Sequence, residues 1–168
     1  DWQSADADTA AAARWFQALR AVQLPPSPRL PALLLAVLTE LPAQAETAFQ
    51  LTALDEIDAL LSRLAADDTE WLGYCRRLME PPHPAPGHAA RLAARRAADD
   101  PRSLHFLWAC ATAGSPEASR AARLALLTLA PSKLDDLVKA ELAQLARGIE
   151  DPELRRLLAR LLGRPPTG

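Results

Sequence analysis

Five arginines in the second half of the chain are the residues most suited to binding a ligand. Arg91 and Arg95 are four positions apart, so they share one face if the segment is helical. Arg102 follows closely, and Arg120 and Arg123 lie where a neighbouring helix would bring them beside the first pair. A guanidinium group binds carboxylate or phosphate through paired hydrogen bonds. These five arginines are therefore our candidate partner-binding residues, for phosphate or an acidic partner, whereas the simpler interpretation of the same spacing is a solvated helix face.

The three histidines give a weaker signal. His83 and His88 flank a proline-rich loop, where we expect exposed side chains, and Glu80 is the nearest residue that could complete a metal site. His105 and Cys110 are five positions apart, and a helix points such residues in different directions. A catalytic cysteine and histidine must instead lie within hydrogen-bond reach. We predict neither a metal site nor a nucleophilic pair.

Two acidic clusters, at residues 55–58 and 67–70, lie in the first turns of predicted helices. Negative charge is stabilising at that end of a helix, so capping explains these carboxylates without catalysis. Cys75 and Cys110 are far apart in sequence and form no C-x-x-C motif, so we expect both to be reduced and buried. These residues together predict no enzymatic activity and no cofactor.

Composition is typical of a helical globular protein. Of the 168 residues, 49% are hydrophobic and 24% are charged, which excludes a wholly disordered chain. Alanine, leucine and arginine are abundant and β-branched residues are scarce, which favours helix over strand. Lysine occurs only at positions 133 and 139, a skew that we attribute to a GC-rich bacterial genome.

Charge and hydropathy argue against two classes of partner. The net charge is −2, and the excess of acidic residues over positions 1–60 is too mild to predict a nucleic acid partner. The longest apolar run, residues 32–38, is far shorter than the roughly 20 residues that span a bilayer. We expect a soluble protein without membrane insertion and favour the cytoplasm. A chain that begins at Asp1 is trimmed or processed, which leaves the compartment open.

Prolines mark the starts of the predicted C-terminal helices. Pro101, Pro116 and Pro152 each follow an aspartate or a serine, which combines an N-cap with proline at the first helical position. Pro131 opens a further apolar run, and the first two intervals between these prolines are 15 residues, enough for one short helix and its turn. The predicted helices cover residues 87–98, 101–113, 116–130, 132–147 and 152–162.

The first half of the chain is less regular. Thr52 is predicted to cap a helix that ends before Asp67. The other predicted helices cover residues 8–23, 31–41, 43–51 and 69–79. We predict a single domain over residues 1–168, with an irregular half at 1–80, a proline loop at 81–87 and a regular helical stack at 88–163. Leu107 and Leu137 are predicted to lie in the core of that stack.

The predicted fold is all-α, a right-handed stack of about eight short antiparallel helices. It is either a HEAT- or TPR-like helical repeat or an irregular bundle. The aspartate–proline helix starts loosely resemble those of HEAT repeats. The TPR signature is absent, because the Trp-Leu-Gly-Tyr run at residues 71–74 has matching residue types at the wrong spacing.

These observations predict a non-enzymatic bacterial protein-interaction module: an adaptor, chaperone, immunity-type inhibitor or accessory domain of a larger assembly. Its partner is another protein or another domain of that assembly, bound in a groove between helices. The alternative is a regulatory domain that holds a small acidic or phosphorylated ligand between the helices of Arg91 and Arg120. An exposed apolar patch supports the first function, whereas a closed pocket with converging arginines supports the second. An enzyme is the third hypothesis. The sequence does not predict the oligomeric state.

Overall fold

The structure is a computed structural model that describes residues 14, 18, 27, 29–41, 47–82 and 84–163. Within them, 77% of positions are helical and no strand occurs, which confirms the all-α prediction; eight α-helices and two 3₁₀ turns are defined. The helices are α1 (Arg29–Glu40), α2 (Ala48–Leu64), α3 (Asp68–Arg77), α4 (Pro86–Ala94), α5 (Pro101–Ala113), α6 (Pro116–Thr128), α7 (Asp136–Leu145) and α8 (Pro152–Leu161). The predicted helix over 8–23, except positions 14 and 18, lies outside the described residues, as does His83.

The chain divides into two compact units, residues 1–71 and residues 72–168, and the boundary falls inside α3. The prediction of one domain with its division at the proline loop stays a prediction. Among the described residues, no helix combines the length and apolarity that crossing a membrane requires.

In the first unit, α1 and α2 pack against each other. Buried leucines of α1 and apolar residues of α2 recur every three or four positions, the spacing that puts them on one face of each helix. These buried residues are Leu34, Leu35, Leu38, Leu54, Ile57 and Leu61.

The predicted cap of α2 is wrong. Thr47, not Thr52, precedes the helix, and its hydroxyl accepts a hydrogen bond from the Gln50 amide at 3.2 Å. The Gln50 side chain accepts from the Thr47 amide in return, which completes a capping box. Thr52 lies inside the helix, where its hydroxyl donates to the Ala48 carbonyl. The separate helix predicted over 43–51 is therefore the first turn of α2 as far as it is described.

In the second unit, α4, α5 and α6 pack on one another, α7 packs on α5, and α8 packs on both α6 and α7. Alanines of α4 and α6 are fully buried, so the two backbones can approach closely. These residues are Ala89, Ala90, Ala93, Ala118 and Ala122.

Three of the predicted helix starts are confirmed. Asp100, Ser115 and Asp151 are the N-caps of α5, α6 and α8, and each accepts a backbone hydrogen bond from the first turn of its helix. Proline occupies the first helical position in all three. The side-chain acceptor and the missing proline N–H together remove most of the unpaired donors at a helix start.

The predicted helix over 132–147 needs correction. Pro131 opens a 3₁₀ turn, Pro131–Lys133, and α7 begins only at Asp136, where Asp135 accepts a hydrogen bond from the Leu137 amide at 2.8 Å. Because α7 buries Val138 and Leu142, Leu137 points away from the core and is 68% exposed. The predicted burial of Leu137 is therefore wrong, whereas Leu107 is fully buried as predicted.

Candidate functional site

A groove of about 410 Å³ lies between α6 and α8 and is open to solvent. Two residues of α6 and five of α8 surround it. They are Arg123, Leu127, Glu153, Leu154, Arg156, Leu157 and Arg160. Their spacing follows from helix geometry, since positions three or four apart lie on one side of a helix. The volume lies in the range of about 300–1,000 Å³ that is typical of ligand-binding clefts.

Leucines form the apolar floor of the groove. Leu154 and Leu157 of α8 are almost fully buried, and they connect the floor to the core of the unit. Leu127 of α6 is 44% exposed, so much of its side chain is accessible to solvent beside them. The floor of the groove is therefore apolar and partly exposed at Leu127.

Arg123 is engaged in contacts within the chain. Its Nη2 lies 2.8 Å from Asp151 Oδ2 and its Nη1 lies 2.9 Å from Glu153 Oε2, at the start of α8. Its Nε donates to Ser119 Oγ at 3.3 Å, and that hydroxyl donates to the Ala111 carbonyl at 2.8 Å. The hydrogen bond from Arg123 lowers the pKa of Asp151 below its usual value. Arg123 therefore connects α8 to α6, and its guanidinium group is already paired with two carboxylates.

The other two arginines of the groove differ from Arg123. Arg160 donates a hydrogen bond from Nη1 to the carbonyl of Leu127 at 2.6 Å. Leu127 lies in the last turn of α6, where backbone carbonyls have no acceptor role within the helix. Arg156 is exposed and forms no hydrogen bond or ion pair with any described residue. No carboxylate of the described chain forms an ion pair with either guanidinium group. Two guanidinium groups therefore border the groove without an ion pair to any carboxylate of the described chain.

The five predicted arginines differ in their surroundings. Arg91 of α4 is half-buried, with Nε and Nη2 out of contact with solvent, and Arg95 is the exposed cap residue at the end of that helix. Arg102 pairs through Nε with Asp100, the N-cap of its own helix, at 3.2 Å. Arg120 is exposed on α6 but does not line the groove. Of the predicted set, Arg123 alone is a groove residue, within the part of the chain described.

The two described histidines and both cysteines lie within helices. His88 lies in α4 and is 1% exposed, so the expectation of an exposed loop histidine is wrong. His105 of α5 pairs with Glu141 of α7, with 2.8 Å between Nε2 and Oε2. Cys75 and Cys110 are free and buried, as predicted. Burial raises the pKa of the Cys110 thiol, which opposes formation of a reactive thiolate.

Sequence reasoning missed Leu127, Arg156 and Arg160 as members of one site. Arg156 and Arg160 are four positions apart after an aspartate–proline start, so their common face is visible in the sequence. Their position opposite Leu127 depends on the packing of α8 on α6, which local patterns do not reveal. Within the described residues, no three histidine, cysteine or acidic side chains are placed to hold a metal.

Comparisons with protein-family models, with curated proteins and with solved structures find no significant match.

Proposed function

We propose that this chain is a non-enzymatic protein-interaction module, and that the groove between α6 and α8 binds an apolar segment of a partner protein. The partner is another protein or another domain of the same assembly, as an adaptor, a chaperone, an immunity-type inhibitor or an accessory domain would require. The observation that carries the proposal is the exposure of Leu127 beside the buried leucines of the groove floor.

The lining of the groove supports a protein segment over a small anion. A site for a small acidic ligand needs several converging cations that are free to bind it. Here Arg123 is already paired with Asp151 and Glu153, and the floor between the arginines is apolar. An apolar floor with charged residues at its edge is the arrangement that binds an amphipathic peptide segment.

The test is affinity capture by the full chain from a bacterial lysate, quantified by mass spectrometry. Leu127→Asp places a charge on the groove floor and should reduce capture of the true partner at least about tenfold, the effect of disrupting a central apolar contact. Leu137→Asp is the matched control, because Leu137 is also an exposed leucine but lies on α7 outside the groove. This variant should capture the partner as the parent chain does.

Circular dichroism should show that both variants keep the parent helix content. Capture that is unchanged by Leu127→Asp, or reduced equally by Leu137→Asp, would show that the groove is not the binding site. Saturable binding of inorganic phosphate, measured by calorimetry without any protein partner, would instead support the small-ligand alternative.

A further inference from the structure

The two groove arginines that have no ion pair within the described chain both lie on α8. Arg156 and Arg160 are four residues apart, about 6 Å along the helix axis, and therefore project from the same face. Neither forms an ion pair with a carboxylate of the described chain. A partner that covered Leu127 would lie against both guanidinium groups.

Arg160 contributes to the stability of the folded chain, whereas no contact gives Arg156 such a role among the described residues. Arg160 is in the last turn of α8, where positive charge is favoured by the helix dipole, and it also binds the Leu127 carbonyl. Arg156 lies in the middle of α8 and has neither role. Its neighbour Arg155, which does not line the groove, donates hydrogen bonds to the carbonyls of Ile149 and Glu150.

We infer that the partner segment is an acidic amphipathic helix, with carboxylates four residues apart that pair with Arg156 and Arg160 and an apolar residue between them that contacts Leu127. The spacing of the two arginines on α8 matches the spacing of acidic residues on one side of a partner helix. Arginine and carboxylate form paired, charge-assisted hydrogen bonds, which give such a contact its direction. This inference rests on the proposed function, and it adds the charge and the secondary structure of the partner.

The test begins with a display library of randomised, helix-forming peptides, selected on the full chain. Peptides that also bind the Leu127→Asp variant are removed, so that those retained depend on the groove. The retained peptides should carry aspartate or glutamate at positions four apart beside an apolar residue. Synthetic versions should bind more weakly at about 300 mM than at about 50 mM salt, because screening reduces the attraction between exposed charges.

Two neighbouring arginines provide a matched comparison. Arg156→Glu should weaken binding of the acidic peptides about tenfold, and Arg156→Gln about threefold, because the first reverses the charge and the second only removes it. Arg155→Glu changes the net charge equally on the same helix but away from the groove, and should change affinity by less than about twofold. Circular dichroism and thermal unfolding confirm that each variant is folded.

The outcomes separate this inference from the proposed function. Groove-dependent peptides with neutral or basic residues at those positions would overturn the acidic partner and leave the groove as a binding site. Equal weakening by Arg155→Glu and Arg156→Glu would also overturn it, since the effect would come from net charge alone. A selection that yields no Leu127-dependent peptide would overturn the groove as a binding site and this inference with it.

Discussion

Arg123 Nη2 lies 2.8 Å from Asp151 Oδ2, so a guanidinium group of α6 binds the residue that caps α8. The other oxygen of that carboxylate, Oδ1, accepts hydrogen bonds from the Glu153 and Leu154 amides. Asp151 therefore starts α8 and also attaches it to α6. This carboxylate therefore contributes to the position of one wall of the candidate groove.

The Arg123–Asp151 pair predicts a dependence of stability on acid. The hydrogen bond from Arg123 lowers the pKa of Asp151 in the folded chain, so its stabilising effect is complete above the usual value of 3.8. That stabilisation is lost as the pH falls through the lower, folded value. Asp151→Asn keeps an N-cap residue but removes the charge, so it should reduce the loss of unfolding free energy between about pH 7 and about pH 3.

Urea unfolding at the two pH values measures this difference. Asp135→Asn is the control, because Asp135 caps α7 in the same way and has no arginine partner among the described residues. It should change the acid dependence less than Asp151→Asn does. An equal change in the two variants would show that Arg123 is not the cause.

The two leucines that the sequence placed in the core should respond differently to truncation. Leu107 is fully buried, so Leu107→Ala should lower the unfolding free energy by about 2–5 kcal/mol through lost burial and a cavity. Leu137 is 68% exposed, so Leu137→Ala should change it by less than about 0.5 kcal/mol. Chemical denaturation of both variants tests which side of α7 faces the core. A large loss of unfolding free energy in Leu137→Ala would contradict the exposure of Leu137.

Two glycines should respond in opposite directions to alanine substitution. A Cβ at Gly114 would collide with the Cys110 carbonyl oxygen and lie 3.0 Å from Ala118 Cβ, so Gly114→Ala should cost about 1–3 kcal/mol. Gly73 lies inside α3, and apart from its two chain neighbours and the nearby backbone of its own helix, no atom of the described chain lies within 4 Å of an added Cβ. Gly73→Ala should therefore stabilise the chain by about 0.5–1 kcal/mol. Thermal unfolding would contradict this account if the two variants shifted the midpoint in the same direction.

Both thiols should be protected from modification in the folded chain. Cys75 is 0% exposed and Cys110 is 4% exposed, and burial raises the pKa of the Cys110 thiol. A disulfide reagent at about pH 8 should react with the native chain at least about a hundredfold more slowly than with the urea-unfolded chain. A Cys75→Ser variant isolates the reaction of Cys110, and rapid labelling of that native variant would contradict its burial.

Helix starts that depend on neighbouring residues were predictable from the sequence. Asp100, Ser115 and Asp151 act within three residues of their own position, so their effect is visible in a short window. Gln50 follows Thr47 by three positions, and Asp55 follows Thr52 by three. Both threonines therefore fit the spacing of a capping box, and the local sequence does not decide which of them starts the helix. The choice depends on where the buried face of α2 begins, which is set by its packing on α1.

The candidate site was less predictable, because it depends on contacts between distant positions. Arg123 was recognised as a possible binding residue, but its partners Asp151 and Glu153 lie 28 and 30 residues away in sequence. The contact of Arg160 with the Leu127 carbonyl spans 33 residues. Such pairings follow from how α8 packs on α6, and neither helix encodes that packing in its own periodicity.

The caps at the starts of α5 and α8 also determine how these helices exchange their amide hydrogens with water. Proline occupies the first position and has no amide hydrogen, and the aspartate side chain binds the next two amides. The first turn of each helix is thus closed to exchange without help from any other helix. Ala85 at the start of α4 offers no side-chain acceptor, so the first amides of that helix lack this protection.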